Sequence, residues 1–349
     1  MKKIKFASVM SIVLAAVMLI SLLPACGASR LYSEGEGELN IVATNFPPFE
    51  FARVVAGEKA TITILQDNGA DLHNYSPTTA TLTALSNADI FICVGGDSDA
   101  KWIDDAIANA QNPDLKVVKL TDCVEVFYGE LESHNHSEYC HSTHGDHDEE
   151  EHDHDHEHED EHEHEHEGED GHVHTGDEHV WTSIKNVIKI VDAIAEACKS
   201  KDAENADFYA ANAAAYTAEL KALDAEYQAV VDASAHKTLV FADRFPFVYM
   251  IKDYGLCHYA AFSGCSTDVN ASFETQTKLA EAVKHNSLPA VIIIENSDGS
   301  LAETVVAGTD AKILTMNSMQ AVTRAQITEG RTYLETMKSN LNVLKEALN

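Results

Sequence analysis

From Leu39 onward, short apolar runs rich in β-branched residues alternate with stretches of helical periodicity. LNIVATNF is followed by a helical stretch to about Gly57, then TITILQ, a helix from about Thr78, DIFICVG, a helix from about Lys101, and KVVKL. The alternation resumes with TLVFAD, HYAAF, AVIIIEN and KILTM, and Ser300 to Glu303 has the form of a capping box opening a helix. Buried strands separated by helices are the pattern of βαβ units, so the expected fold is α/β: two lobes, each a mostly parallel sheet flanked by helices.

Between the lobes the period is helical throughout. Ile184, Val187, Ile188, Val191, Ile194, Ala195 and Cys198 mark one amphipathic helix. Ala203 to about Ala233 marks a longer one, with Tyr209, Ala213, Tyr216, Leu220, Leu223, Tyr227 and Val230 on one face. At 1.5 Å per residue, a helix of roughly 30 residues reaches about 45 Å, long enough to join both lobes as a rigid brace.

The amino terminus has a different pattern. Lysines at 2, 3 and 5 precede an apolar run from Val9 to Leu23, which reads as a secretory signal too short for a stable membrane span. Leu23-Pro24-Ala25-Cys26 resembles a bacterial lipobox, which implies a lipid on Cys26 and a polar tether from Gly27 to Glu38. The expected location is therefore the outer face of the bacterial cytoplasmic membrane, held to the bilayer by that lipid. An exported chain can oxidise its remaining six cysteines, and Cys257 and Cys265 are the expected pair, with Cys93 and Cys198 in the core.

Charge changes the picture most. The 349 residues carry a formal net charge of −33, of which −19 falls between His134 and Glu178 together with 14 of the 19 histidines and no lysine or arginine. Such a surface repels phosphate backbones, so nucleic acid is not an expected partner and cations are. Residues 134–174 form the expected disordered insert, dividing a first lobe of 39–133 and 175–200 from a connecting helix over 201–235 and a second lobe over 236–349. Its centre, HDHDHEHEDEHEHEH, alternates imidazole and carboxylate, with His152, His154, His156, His158, His162, His164 and His166 as metal-collecting donors. A flexible loop imposes no single geometry, so selective binding requires a second site on ordered elements. Five histidines remain for it: His73, His179, His236, His258 and His285.

Two of these stand in telling segments, GADLHNYSPTT (69–79) and DEHVWTSIKN (177–186). With the opening NIVATNFPPFEFARVVAG and the closing TYLETMKSNLNVLKEAL, they give the chain a resemblance to the zinc- and manganese-binding substrate-binding lipoproteins of bacterial ABC transporters. The resemblance implies a metal held in a cleft between the lobes, with His73 and His179 as ligands from the first lobe. It also places a third ligand where this chain has Asp243 and a fourth near Asn317 and Gln320. Glu295, at the carboxyl end of AVIIIEN, is a further candidate. Two histidines and an imidazole-rich insert favour Zn2+ over Mn2+. The expected role is non-enzymatic: capture of the ion and delivery to an ABC transporter membrane permease, with a metal buffer or a manganese carrier as alternatives.

Overall fold

The four apolar, β-branched runs in the first half of the chain all become strands, and a fifth strand precedes them. The computed structural model describes residues 31–69, 75–96, 99, 102–128, 176–264 and 271–349. Cys26, His73, Cys265 and the insert histidines lie outside the described residues. Strands β1 (Tyr32–Glu34), β2 (Leu39–Ala43), β3 (Ala60–Ile64), β4 (Ile90–Cys93) and β5 (Lys116–Lys119) make one sheet in the order β1-β3-β2-β4-β5. The pairs among β2 to β5 are parallel, and β1 runs antiparallel along β3 with Tyr32 opposite Ile64. Part of the expected tether is thus an edge strand. Its sequence, YSE, is too short and polar to show a strand period, and pairing with β3 supplies what propensity does not.

Helices α1 (Phe46–Ala56), α2 (Thr79–Ser86), α3 (Ile103–Ala110) and α4 (Ile184–Lys201) flank this sheet. Thr78 caps α2 reciprocally with Thr81, and the Ser183 hydroxyl caps α4 at Asn186 N. After a 3₁₀ turn at Ala203–Asn205, helix α5 (Ala206–Ala233) runs 28 residues, about 42 Å. Its buried stripe is the expected one except at the end, where Val231 replaces Val230. A helix of 3.6 residues per turn drifts about 20° per heptad from a strict seven-residue spacing, which shifts the stripe by one residue over the roughly six turns from Tyr209 to Val231.

The second sheet holds β6 (Thr238–Phe245), β7 (Cys257–Ser263), β8 (Ala290–Ile294) and β9 (Lys312–Met316) in the order β7-β6-β8-β9, all parallel. The register of β6 slips between Phe241 and Arg244, around Asp243. Helices α6 (Val248–Tyr254), α7 (Phe273–His285), α8 (Ser300–Val306), α9 (Arg324–Thr328) and α10 (Tyr333–Ala347) complete this lobe. Ser300 does not cap α8 as its motif suggests. It is the first helical residue, and Asp298 Oδ1 accepts from its amide (2.9 Å) and hydroxyl (2.8 Å).

The fold is the α/β, two-lobed one, with α5 touching both halves. Asn212 donates to the Val55 carbonyl of α1 (3.0 Å), and two turns before the end of α5 Tyr227 donates to the Met337 carbonyl of α10 (2.6 Å). One apolar core runs through both halves, from Ile41 and Phe49 through Leu220 and Tyr227 to Phe241 and Leu344.

Cys257 is disulfide-bonded, and Cys93, Cys123 and Cys198 are free. The other member of the expected pair, Cys265, lies outside the described residues.

Candidate metal centre

His179 stands at the start of a 3₁₀ turn, Val180–Thr182, that leads into α4. The turn is short because Ser183 adopts an extended backbone and starts a new helix with its own hydroxyl cap. Asp177 organises the segment. Its Oδ1 accepts the His179 amide at 2.9 Å and lies 3.1 Å from His179 Nδ1, and both side chains are buried. A carboxylate at Nδ1 selects the tautomer protonated there and leaves the Nε2 lone pair as the donor, the arrangement typical of metal-bound imidazole. The Asp177 carbonyl accepts in turn from the Tyr249 hydroxyl (2.6 Å), which itself accepts the Phe127 amide (3.1 Å), so α6 of the second lobe fixes this first-lobe segment.

The ring of His179 lies against the carboxyl ends of β6 and β7. A methyl group on Gly264 would stand 3.1 Å from His179 Cε1, 3.2 Å from Nδ1 and 2.8 Å from the Phe245 carbonyl oxygen, so only glycine fits there. Beneath Phe245, the His258 ring stacks at 3.9 Å, and burial lowers its pKa to about 4. On the first-lobe side, Glu178 packs against Gly96 beyond the end of β4. Nearby Asp99 has its pKa raised to about 7 by burial, opposed by amide donation from Gly95 and reinforced by the Glu178 charge.

The remaining candidates lie in β6, directly after β8 and in the turn after β9. Asp243 is half-buried in the slipped part of β6, with Oδ1 accepting from the Arg244 amide (2.8 Å) and Oδ2 from the Ile294 amide (3.4 Å). Glu295 ends β8 and holds Ser318 through both carboxylate oxygens, at 2.7 Å from the amide and 2.6 Å from the hydroxyl. Gln320 is 5% exposed, and its Nε2 has no hydrogen-bond partner. Trp181 reaches the same turn, donating its indole N–H to the Ser318 carbonyl (2.8 Å). Among the described residues no three His, Cys, Asp or Glu side chains gather into a group that could hold a metal, so His179, Asp243 and Glu295 do not form one by themselves. His73 is outside the described residues. The chain just before it is ordered against the second lobe, since Asn68 bridges Thr323 and the Arg324 amide donates to the Asp67 carbonyl (2.5 Å).

The sequence reading passed over Asp177, Tyr249 and Ser318. Asp177 left a signal, standing two residues before a histidine, the spacing at which an Asp side chain caps a following amide. Tyr249 and Ser318 act across 72 and 137 residues of chain and left none.

Residues 41–347 match the family model described as zinc-uptake complex component A, periplasmic. The chain belongs to that family. It is 29% identical to the zinc-binding lipoprotein AdcA of Streptococcus pneumoniae over 90% of its own length and 56% of the relative's, so it spans little more than half of that protein. It is 25% identical to the high-affinity zinc uptake system protein ZnuA of Bacillus subtilis over 94% of both chains. The crystal structure of the Zn(II)-bound ZnuA-like domain of Streptococcus pneumoniae AdcA superimposes with a TM-score of 0.67 at 25% identity, covering 89% of this chain and 99% of that one. The family's two-lobed fold is thus the one described here, with the strand ends of both sheets turned toward the segment that carries His179.

Proposed function

We propose that this chain is the zinc-binding, extracytoplasmic component of an ABC importer, which captures the ion between its lobes and delivers it to a membrane permease. The observation that carries the reading is His179, buried where the two lobes meet and aligned by Asp177 as a metal-binding imidazole is aligned. Zinc takes four N, O or S donors, and a neutral imidazole nitrogen at about 2.0 to 2.1 Å suits it. In this reading His73 supplies the second nitrogen, and Asp243 and Gln320 are the oxygen donors of the second lobe. The names of its relatives point the same way, one a zinc-binding lipoprotein and one a high-affinity zinc uptake protein.

The insert, with His152, His154, His156, His158, His162, His164 and His166, serves as a weak, fast collector that raises zinc concentration beside the cleft. Lipidation at Cys26 holds the chain at the outer face of the membrane, within reach of the permease. Calorimetry on the mature chain lacking residues 134–174 tests the proposal. One tight zinc site is expected to survive, and to be lost when His73 and His179 are both changed to Ala. Loss of all binding with the insert would make the protein a metal buffer, and manganese outcompeting zinc would make it a manganese carrier.

A further inference from the structure

The turn after β9 is held far more firmly than a surface connection needs. Met319 adopts a left-handed backbone with φ of 63°, although it is not glycine and is fully buried. A non-glycine residue there stores strain that persists only where surrounding contacts fix it. Several do. The Asn317 side chain accepts the Met319 amide (2.9 Å), and Asn340 of α10 both accepts the Asn317 amide (2.9 Å) and donates to its carbonyl (2.8 Å). Glu295 takes the Ser318 amide and hydroxyl, each at hydrogen-bond lengths expected of a charged acceptor. From the other lobe comes Trp181, two residues beyond His179, whose ring it meets edge-on at 5.4 Å between centroids.

The consequence is a continuous link, from the Glu295 carboxylate to Ser318, from the Ser318 carbonyl to the Trp181 indole, and from Trp181 to the His179 turn. We propose that Glu295 is a positioning residue of the metal centre and not one of its ligands: it clamps Ser318 so that the strained turn bearing Gln320 stays docked on Trp181. Glu295 thereby fixes the spacing between the imidazole of one lobe and the donors of the other. The role in metal binding rests on the zinc-capture reading above, whereas the clamp itself exists without metal.

The test uses the full mature chain carrying Glu295→Gln, Glu295→Ala or Ser318→Ala. In the metal-free protein, hydrogen exchange at the Trp181 indole N–H is followed by NMR, with Trp102, the other tryptophan, as internal reference. Cobalt(II) visible spectra and stoichiometry then report the donor set, and chelator-triggered release reports zinc dissociation. Glu295→Ala and Ser318→Ala are both expected to speed exchange at Trp181 alone, to keep the cobalt spectrum and a stoichiometry of one, and to speed zinc release by about 10- to 100-fold, as outer partners of metal ligands do. Adding one change to the other is expected to give little more, and Glu295→Gln, which keeps one acceptor, falls between. If the Glu295 variants alter the cobalt spectrum while Ser318→Ala leaves it intact, Glu295 is a ligand and the proposal fails. It fails equally if Trp181 exchange is unchanged. If the wild-type chain binds no metal at this centre, the zinc-capture reading falls, and the exchange data still decide whether Glu295 positions the turn.

Discussion

Two buried titratable groups near the lobe junction pull stability in opposite directions with pH. His258 has a folded pKa of about 4 against about 6.5 unfolded, so the native state binds fewer protons between those values and stability is lost as pH falls through that window. Asp99 has a folded pKa of about 7 against about 3.9 unfolded, so the native state holds the extra proton and stability is lost as pH rises from about 4 to 7. The two slopes largely cancel in the wild type. His258→Phe keeps the stacking on Phe245 and removes one slope, so urea unfolding of this variant should show stability rising by roughly 2 kcal/mol from pH 7 to pH 5, one and a half to two pKa units' worth of linkage, while the wild type stays nearly flat. Equal pH profiles for the two proteins would mean that His258 does not titrate with folding. Gly264 tests the site at the same scale. Alanine there meets the Phe245 carbonyl at 2.8 Å and the His179 ring just beyond 3 Å, so Gly264→Ala should displace the ring and weaken zinc binding by about tenfold or more, read by calorimetry, with a smaller loss of stability.

At the level of elements, α1 and α10 are joined through the buried Glu50, which pairs with Arg53 of its own helix and accepts an amide from α10. Glu50 is 1% exposed, accepts from Arg53 at 2.7 Å and takes the Tyr333 amide at the first turn of α10 at 3.2 Å. Burial raises its pKa, and Arg53 opposes that rise. Glu50→Ala leaves a guanidinium and a helix-end amide without their acceptor, and denaturant unfolding should show a loss of about 3 kcal/mol, with Glu50→Gln costing less. A cost below about 0.5 kcal/mol would show that the joint is replaceable by water. Nothing in the local pattern around Glu50 marks it, because a glutamate three residues before an arginine in a helix reads as an ordinary exposed pair. The elements themselves were readable for the opposite reason. Strands β2, β3, β4 and β8 are buried on both faces or alternate strictly, and α4 and α5 keep a helical stripe for five or more turns, so each carries its own period. The edge strand β1 has three residues and no period, and at α8 the cap moves from Ser300 to Gly299, with Asp298, two positions before Ser300, accepting the Ser300 amide and hydroxyl.

At the scale of the whole molecule, two lobes are legible in the sequence because strand and helix periods are local patterns. His73 and His179 are instead singled out by the resemblance, and the surroundings of Asp243 and Glu295 depend on contacts across 23 to 137 residues. Asp243 and Glu295 sit at strand ends and Gln320 in the turn beyond one, and such positions alone do not distinguish a ligand from a clamp. The same long-range character marks the second crossing between lobes, where Asn68 bridges Thr323 and Arg324 holds Asp67 through its backbone and its side chain. In sequence this crossing comes shortly before 70–74, the segment with His73, and shortly after Gln320, the two stretches that the zinc-capture reading needs near each other. Arg324 is about half exposed, and an exposed ion pair contributes only about 0 to 1 kcal/mol to stability. Its removal should therefore barely move the unfolding midpoint. In the zinc-capture reading the ion leaves as the lobes part at these crossings, and a contact across them slows its escape. Arg324→Ala and Asp67→Asn are each expected to speed zinc release several-fold in stopped-flow chelation while leaving the association rate within about twofold, and the double variant should be no faster than the quicker single one, the signature of two residues acting through one contact. A midpoint that drops sharply with release unchanged would place the pair in the folding of the second lobe and not in the closure of the cleft.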